Sequence, residues 1–230
     1  MNFENKNILI IGISSDLGNT LANILTNLKA NVIGTYYNHK TINNFKLIQC
    51  NITDEKDVKK LFNEVINKYH KIDAIINCAA LSLDNEFKNK SFDEFMKVVA
   101  TNLGGTFLIN KYAALNMDKG TIINISSDEG LDKYTSLSMD YASSKAGVNN
   151  LTRNFAKTCP NLKICALAPA WINTKTVLQM DSHYLKKVMQ DSNQIELLKK
   201  ENVALKIIEI LINDDDYISG DIILMENDYE

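Results

Sequence analysis

The segment Ile8-Leu9-Ile10-Ile11-Gly12-Ile13-Ser14-Ser15-Asp16-Leu17-Gly18 joins four consecutive apolar residues to a short loop that contains two glycines. A short apolar run of this kind is typical of a strand that is buried on both faces. Beyond the loop, apolar residues recur at the spacing of an amphipathic helix, at Leu17, Leu21, Ile24, Leu25 and Leu28. The sequence therefore predicts a buried strand that turns directly into a helix.

The loop between this strand and this helix has the residue types that a sharp turn needs. Gly12 permits a tight turn and Gly18 permits close helix packing, while Ser14 and Ser15 supply hydroxyl and backbone donors. Because the N-terminus of a helix attracts anions, such a turn can bind a diphosphate. An ordinary strand-to-helix connection would show the same pattern, so the rest of the chain has to separate the two interpretations.

Apolar runs alternate with helical patterns along the remaining sequence. Further strands are predicted at residues 32–36, 47–50, 74–77, 121–126, 164–168 and 222–225, and the main helices at 58–66, 91–116, 141–158 and 202–212. Continuous apolar strands that alternate with helices indicate a parallel sheet, and right-handed crossovers make it doubly wound. We predict a single α/β domain over residues 1–230, of the Rossmann type, with about seven parallel strands and helices on both faces.

Composition argues against several other classes of protein. The 230 residues are 45% hydrophobic, which is enough for one full core. The formal charge of −3 and the pI near 5.7 provide no basic surface for nucleic acid. No apolar run approaches the roughly 18 residues of a membrane span, and residues 1–6 do not resemble a secretion signal. We expect a cytoplasmic protein that binds neither nucleic acid nor membrane.

The cysteines and histidines lack the spacing of metal ligands. Cys50, Cys78, Cys159 and Cys165 form no C-x-x-C pair, and no histidine lies near them at ligand spacing. Buried cysteines act as small apolar residues. We therefore predict no metal site.

A second segment, Tyr141-Ala142-Ser143-Ser144-Lys145, carries residue types suited to proton transfer. Side chains four residues apart share one helix face, so Tyr141 and Lys145 can enter the same pocket. A free phenol has a pKa of about 10, and a neighbouring ammonium favours the phenolate and lowers that pKa. The alternative is a packed tyrosine beside a solvated lysine, because this spacing also occurs by chance in helices.

Together these segments resemble the short-chain dehydrogenase/reductase superfamily over nearly the whole chain, in its compact single-domain type, and they are similar to 3-oxoacyl-thioester reductases. The family's first turn reads T-G-x-x-x-G-x-G. Gly12 and Gly18 match it, whereas Ile11 replaces the threonine and Asp16 replaces the middle glycine. The carboxylate of Asp16 either repels the cofactor phosphates, or points outwards or caps the helix while its backbone N–H serves the cofactor.

The resemblance implies a nicotinamide dinucleotide cofactor. Tyr36 stands where relatives that prefer NAD have an acidic residue, so NADP(H) is favoured over NAD(H), with Asn38, His39 and Lys40 as candidates to hold its 2′-phosphate. The other positions that the family's motifs assign to cofactor binding are Gly12, Ser14, Ser15, Asp16, Leu17, Gly18, Asn51, Ile52, Asn77, Ala79, Tyr141, Lys145, Pro169, Ile172 and Thr174.

The resemblance also implies the reaction, which is reduction of a carbonyl or oxidation of the matching alcohol by hydride transfer. Ser127 would orient and polarise the carbonyl oxygen, and Tyr141 would act as the general acid/base. Lys145 would lower the pKa of Tyr141 and bind the ribose, while Asn102 would hold a water in the proton path. The only tryptophan, Trp171, is expected near the nicotinamide.

Residues 175–200 correspond to the family's substrate lid, and their apolar side chains predict an amphipathic cover, with plain packing as the alternative. The substrate is expected to be a small carbonyl compound or alcohol; a 3-oxoacyl thioester, a small ketone and a sugar all remain open. Because relatives assemble through the two long helices, the resemblance implies a homodimer or homotetramer.

A competing function belongs to a different class. A relative with impaired cofactor binding, serving as a regulatory or scaffolding subunit, would depart from the family's motifs where this chain has Asp16, Ala80, Ala170 and Glu226-Asn227-Asp228. All four catalytic positions match the family, and this favours the enzyme.

Overall fold

The computed structural model describes residues 2–40, 45–133, 137–213 and 215–227. Asp228, the last residue compared with the family's closing motif, lies outside them. Within the described part of the chain, no helix combines the length and the apolar character needed to cross a membrane.

Seven parallel strands form one sheet in the order β3-β2-β1-β4-β5-β6-β9. The strand order reverses between β1 and β4, which is the position where doubly wound sheets open a ligand crevice. The seven strands are β1 (Asn7–Ile11), β2 (Asn31–Tyr36), β3 (Lys46–Gln49), β4 (Ala74–Asn77), β5 (Gly120–Ile125), β6 (Leu162–Pro169) and β9 (Ile222–Met225). The predicted fold class is confirmed.

Helices cover both faces of this sheet. They are α1 (Asp16–Asn27), α2 (Glu55–Tyr69), α3 (Phe92–Val99), α4 (Gly105–Asn116), α5 (Met139–Thr158), α6 (Lys175–Leu178), α7 (Ser182–Asp191) and α8 (Lys200–Ile212). One apolar core lies under α1 and α8 and includes Leu21 and Ile207. A second core lies under α2 and α4 and includes Phe62 and Ile109. Burial on both faces explains why the strands are continuously apolar.

The long helix predicted at residues 91–116 is present but irregular. Ser91 and Glu94 form a capping box at its start, and Ala100–Gly104 forms a π-helical segment between α3 and α4. Single π-helical turns inside helices frequently accompany functional sites. Asn102 lies in this segment, so its side chain is held by an unusual backbone rather than by a regular helix.

The predicted lid, residues 175–200, forms α6, α7 and the short strand β8 (Leu198–Lys199). This strand pairs with β7 (Ile172–Asn173) in a separate two-stranded parallel sheet. Val177 and Val188 are buried, whereas Leu178 is exposed. The segment, called the lid below, therefore packs partly into the protein, and β8 ties its end to the chain that leaves β6. Its role as a substrate cover stays a prediction.

Candidate active site

A cleft of about 850 Å³ lies at the carboxyl ends of the central strands. Its walls come from the β1–α1 loop, from the chain after β4, β5 and β6, from the start of α5 and from the lid. Parallel strands end at the same edge of the sheet, so residues far apart in the sequence meet there.

The first turn is built for close backbone approach. Gly12 has a φ of +76°, and a Cβ added there would lie 2.9 Å from the backbone N and Cα of Ala79. A Cβ at Gly18 would lie 2.6 Å from the carbonyl oxygen of Gly12. Both glycines are therefore required by the geometry, and they keep the loop narrow enough for a ligand to lie against the start of α1.

The polar residues of this turn have distinct roles. Ser15 is the N-cap of α1: its hydroxyl accepts from the Gly18 N–H at 3.1 Å and donates to the Gly12 carbonyl at 2.9 Å. Asp16 does not cap the helix. Its carboxylate accepts a hydrogen bond from the backbone N–H of Lys175, at the start of α6, and so joins the first turn to the lid. Ser14, Ser15, Asp16 and Leu17 all line the cleft.

Most of the positions predicted to bind the adenosine half of the cofactor do not line the cleft. Asn38 is exposed beyond β2, and neither it nor Tyr36 is among the cleft-lining residues, whereas His39 is. The Oδ1 of Asn51 accepts from the backbone and hydroxyl of Thr53, and Ile52 is buried in the core. The structure therefore does not bring Asn51 and Ile52 into the cleft lining; their contacts here support the start of α2.

Asn77 and Ala79 lie below the cleft surface. Asn77 is buried at the end of β4, donates to the Thr106 hydroxyl at 2.9 Å and accepts from the Ala79 N–H at 3.4 Å. These bonds fix the chain against which Gly12 packs. The cleft itself is lined at this point by Cys78 and Ala80.

The positions predicted to hold the nicotinamide lie together in the cleft lining, and their role in binding it stays a prediction. Pro169, Ile172 and Thr174 all line the cleft, together with Trp171. Thr174 is the N-cap of α6, and its hydroxyl accepts from the Val177 N–H. The tryptophan backbone is bonded in both directions to the Gln194 amide, at 2.9 and 2.8 Å, a link between the cleft and the end of the lid that the sequence did not reveal.

Ser127 and Tyr141 meet at the cleft wall. Ser127 follows β5 and is the N-cap of a short 3-10 turn, Asp128–Gly130, while Tyr141 lies in the first turn of α5. Both side chains line the cleft, and a hydrogen bond from Ser127 acts to lower the pKa of the Tyr141 phenol. The pair has the arrangement that a carbonyl oxygen would need.

Lys145 packs its ammonium against the ring of Tyr141. Its side chain is buried, its Nζ donates to the Ile125 carbonyl at 2.7 Å, and that nitrogen is 5.3 Å from the centroid of the Tyr141 ring. Burial lowers the pKa of Lys145 to about 8. The predicted shared helix face is therefore present.

The expected lowering of the Tyr141 pKa by Lys145 is wrong for this structure. Burial, followed by the negative charges of Glu129 and Asp128, raises the pKa of the phenol above its usual value. The reason is that two carboxylates stand close to the hydroxyl while the ammonium is held by a carbonyl. A raised pKa keeps the phenol protonated at neutral pH, which is the form that donates a proton.

Asn102 is buried, and both polar atoms of its amide have protein partners. Its Oδ1 accepts from the Leu81 N–H at 2.8 Å, and its Nδ2 donates to the Leu81 carbonyl at 2.9 Å and to the Ser144 hydroxyl at 3.0 Å. These bonds connect the chain after β4 to α5 directly behind Tyr141. The part in a proton path stays a prediction, since this side chain does not line the cleft.

Two acidic residues at the cleft were missed by the sequence analysis. Asp128 and Glu129 are buried and line the cleft. Burial raises the pKa of the Asp128 carboxyl, and it raises that of Glu129 to about 7. Their position directly after Ser127 was a usable signal, but polar residues after a strand are usually solvated, and only the structure reveals their burial.

The start of α5 is further held by a buried ion pair. Lys90 Nζ lies 2.8 Å from Asp140 Oδ2, and both side chains are almost fully enclosed. Lys90 also donates to the Leu83 carbonyl, so one ammonium connects the β4–α3 chain to the turn that carries Tyr141. Within the described residues, no group of three or more His, Cys, Asp or Glu side chains is arranged to hold a metal ion.

Comparison with known proteins agrees with this geometry. The model of a family described as short chain dehydrogenase matches residues 6–184. The 3-oxoacyl-(acyl-carrier-protein) reductase FabG of Thermotoga maritima is 25% identical over 241 residues, a match that covers 97% of this chain and 97% of the relative. A solved structure described as ElxO with NADP bound is 27% identical, with a TM-score of 0.80 and 96% of each chain covered.

The ligand-free aldohexose dehydrogenase of Thermoplasma acidophilum is 22% identical to this chain, with a TM-score of 0.85. The superposition covers 97% of this chain and 93% of the other. At this identity the likeness concerns the fold, which the two proteins share along almost their whole length.

Proposed function

The chain belongs to the short-chain dehydrogenase family of oxidoreductases, and from this premise we propose that it reduces a carbonyl, or oxidises the matching alcohol, with Tyr141 as general acid/base and NADP(H) as the favoured cofactor. The observation that carries the proposal is the meeting of Ser127 and Tyr141 in one cleft with Lys145 behind them. Ser127 supplies a hydrogen-bond donor for the carbonyl oxygen, Tyr141 supplies the proton, and Lys145 supplies a buried positive charge.

The roles of the two hydroxyls follow from their positions. A carbonyl oxygen between Ser127 and Tyr141 accepts hydrogen bonds from both and becomes more polarised. The Tyr141 phenol, protonated because of its raised pKa, then donates its proton as negative charge develops on that oxygen. The bound nicotinamide supplies the hydride in reduction and accepts it in oxidation.

Lys145 and Asn102 act behind the reacting groups. The buried ammonium of Lys145 lies 5.3 Å from the centroid of the Tyr141 ring, so it places a positive charge near the phenol, although it does not lower the pKa of the phenol in this structure. Its bond to Ile125 fixes this charge in place. Asn102 holds the chain after β4 against α5, and we propose that it thereby positions Tyr141 and keeps a water path to Lys145.

The residues at the cleft fit a nicotinamide dinucleotide. The space that a Cβ at Gly12 or Gly18 would fill is needed for the tight turn, and the start of α1 provides backbone donors for a diphosphate. Thr174 and the chain from Pro169 would hold the nicotinamide end. The absence of an acidic side chain at Tyr36, the cleft-lining His39 and the NADP-bound relative all support NADP(H) over NAD(H).

The regulatory alternative has less support. The first turn keeps both glycines, and Asp16 directs its carboxylate to the lid backbone instead of leaving it without a partner. Ala170 is accommodated as a buried residue whose N–H donates to the Met225 carbonyl at 2.9 Å. None of these departures closes the cleft.

We also propose a homodimer or homotetramer that assembles through α4 and α5. Large apolar side chains remain uncovered on this surface: Phe107 is 44% exposed, and its ring lies 6.1 Å from that of Phe155. Leu115 is 69% exposed on the same helix. Large exposed apolar side chains on these two helices support a contact with another subunit.

A cytoplasmic location is proposed as well. All four cysteines are free, and three of them are buried, where burial raises the pKa of the Cys50 and Cys78 thiols to about 12. Inert, unpaired thiols are typical of a reducing compartment.

Tyr141→Phe tests the proposed reaction. The variant should fold and bind NADPH yet turn over at least roughly 10²-fold more slowly, because the general acid is lost. Turnover is measured by loss of NADPH absorbance with a panel of ketones, aldehydes and acyl thioesters, and binding by quenching of the emission of Trp171. Turnover of the variant close to that of the wild type would refute the assignment, and unchanged tryptophan emission at millimolar NADPH and NADH would favour the non-enzyme reading.

A further inference from the structure

We propose that the substrate carries a hydroxyl group on the carbon next to its carbonyl, and that Asp128 binds this hydroxyl. The inference rests on the proposed function and names the substrate class of the same site. It comes from the hydrogen bonds that surround Ser127 and from an Asp128 carboxylate oxygen that accepts no hydrogen bond.

Asp128 is an unusual acid because it is 1% exposed while lining the cleft. Its Oδ1 accepts from the Ser127 hydroxyl at 3.1 Å and from the Glu129 N–H at 2.9 Å. Its Oδ2 accepts no hydrogen bond from any described residue, and the nearest cation, the Nζ of Lys133, is 4.0 Å away. Buried carboxylate oxygens normally have donors, so this oxygen lacks one that a ligand can supply.

The proton of Ser127 is already in use. The serine hydroxyl has one proton and two neighbouring acceptors, Asp128 Oδ1 at 3.1 Å and the Tyr141 hydroxyl, while the Ser127 oxygen accepts from the Glu129 N–H at 3.2 Å. To hold a substrate carbonyl, Ser127 must therefore withdraw its proton from these acceptors. A ligand that brings no donor of its own leaves the buried carboxylate with one hydrogen bond fewer.

An adjacent hydroxyl removes this conflict. Because the Ser127 oxygen and Asp128 Oδ1 are only 3.1 Å apart, a hydroxyl on the carbon next to the carbonyl can donate to Asp128 while the carbonyl accepts from Ser127 and Tyr141. Glu129 extends the same wall, with its Oε2 accepting from the Ser138 hydroxyl at 2.7 Å. The wall therefore has acceptors placed for a donor on the substrate.

The charge of the wall narrows the substrate further. Two carboxylates repel a carboxylate or phosphate substituent near the carbonyl, and an unsubstituted acyl chain offers them no donor. Because the pKa values of both carboxyls are raised, a neutral hydroxyl suits them in either protonation state, whereas an ammonium requires the charged form. Reduction would add a hydride from the nicotinamide to the carbonyl carbon and the Tyr141 proton to its oxygen, so the product is a vicinal diol.

The test compares hydroxyacetone with 2-butanone, which differ by a hydroxyl in place of a methyl. The wild-type enzyme with NADPH should favour hydroxyacetone in kcat/KM by roughly 10- to 100-fold. Asp128→Ala should bring this ratio close to one, because hydroxyacetone then loses the hydrogen bond that 2-butanone never makes. Asp128→Asn, which keeps the shape of the side chain, should give an intermediate ratio, and Asp132→Ala, an exposed acid four residues on, should leave the ratio unchanged.

Aminoacetone forms the second arm of the test. A higher kcat/KM for aminoacetone than for hydroxyacetone would overturn the proposal and indicate a site for a cation. Equal kcat/KM values for all three ketones would also overturn it and indicate a wall without selectivity. A ratio unchanged in Asp128→Ala would also overturn it.

Binding is measured in parallel on Tyr141→Phe with NADP⁺ through the emission of Trp171, with and without Asp128→Ala. Hydroxyacetone should bind roughly tenfold or more weakly once Asp128 is absent. This arm decides the inference even if no carbonyl compound in the panel is reduced, an outcome that would reject only the proposed reaction.

Discussion

The two walls of the cleft consist of different kinds of chemical group. The wall at the β1–α1 turn consists of backbone and small side chains: Gly12 and Gly18 touch their neighbours directly, and Ser15 bonds within its own loop. The opposite wall, between β5 and α5, carries ionisable groups: the buried Asp128 and Glu129, and Tyr141 with the buried Lys145 against its ring. The first wall is shaped by steric fit, the second by charge.

This difference determines how each wall responds to change. A steric wall fails when atoms are added, whatever the pH, because the backbone cannot move away. In a charged wall, a substitution of similar shape should leave folding largely intact but change the chemistry. The protonation of such a wall also varies with pH, since burial has shifted the pKa values of its groups. The following variants separate these two behaviours, from the largest expected effect to the smallest.

Lys145→Met should have the largest effect, on the charged wall. The variant removes the buried ammonium while nearly keeping its volume, so turnover should fall at least about 10²-fold with little loss of folding. Because the pKa of Lys145 is about 8, wild-type kcat/KM should decline as the pH rises past that value, and the variant should lack this step. Lys157→Met, on the exposed face of the same helix, is the matched control. An unaltered pH profile in Lys145→Met would contradict the assignment.

Gly12→Ala should damage the steric wall. The φ of +76° and the 2.9 Å approach to Ala79 predict a loss of about 2–4 kcal/mol in the free energy of unfolding, at all pH values. NADPH binding should weaken as well, as judged by the Trp171 emission. The control is Gly104→Ala, where a Cβ meets no atom within 4 Å and the change should be neutral or slightly stabilising. Equal free energies of unfolding for Gly12→Ala and Gly104→Ala would contradict this, because they would mean that the β1–α1 turn can shift to make room for a Cβ.

Glu129→Gln should change stability in a pH-dependent manner. The folded state raises the pKa of this carboxyl from 4.5 to about 7, so it binds the proton more tightly than the unfolded chain. That contribution is fully present below pH 4.5 and is lost as the pH rises through 7. The wild-type protein should therefore lose on the order of 3 kcal/mol relative to the variant between pH 4.5 and 8.

Denaturant unfolding at several pH values measures this difference for Glu129→Gln. Glu201→Gln, at an exposed glutamate of α8, serves as the control. A constant difference between wild type and Glu129→Gln across the whole pH range would argue that this carboxyl keeps its ordinary pKa.

Asp16→Asn should have the smallest effect, because the substitution keeps the hydrogen bond of this side chain and removes only its charge. The amide oxygen can still accept from the Lys175 N–H, while the negative charge that lines the cleft is removed. NADPH should bind slightly more tightly, by less than about 1 kcal/mol, because this site is partly exposed. Tryptophan quenching measures the dissociation constant. Binding weakened more than tenfold would mean that the charged link to the lid outweighs phosphate repulsion.

The sequence was sufficient for the regular parts of the fold. Every strand of the main sheet was predicted within one or two residues at most ends, because buried parallel strands leave an uninterrupted apolar signature. The irregular parts were not predictable. The π-helical turn at Ala100–Gly104 and the pairing of Ile172 with Leu198 depend on contacts between distant segments and leave no periodic pattern.

The candidate site divides in the same way. Gly12, Gly18, Ser127, Tyr141, Pro169 and Thr174 were identified from the motifs, and each of them lies at or directly under the cleft. Asn51 and Ile52 fit the motif yet do not line the cleft. The bond between Asp16 and Lys175 spans 159 residues of sequence, so no local pattern could reveal it.

By itself the sequence determined the doubly wound sheet, the glycine turn and the approach of Tyr141 to Lys145, since each depends on short-range periodicity or spacing. Only the tertiary structure decided which charges stand around the phenol. The pKa of Tyr141 is raised rather than lowered because folding buries the phenol and places Glu129 and Asp128 near it, while the Lys145 ammonium donates to the Ile125 carbonyl. Solvent exclusion and distance set these interactions, and both exist only once the chain has folded.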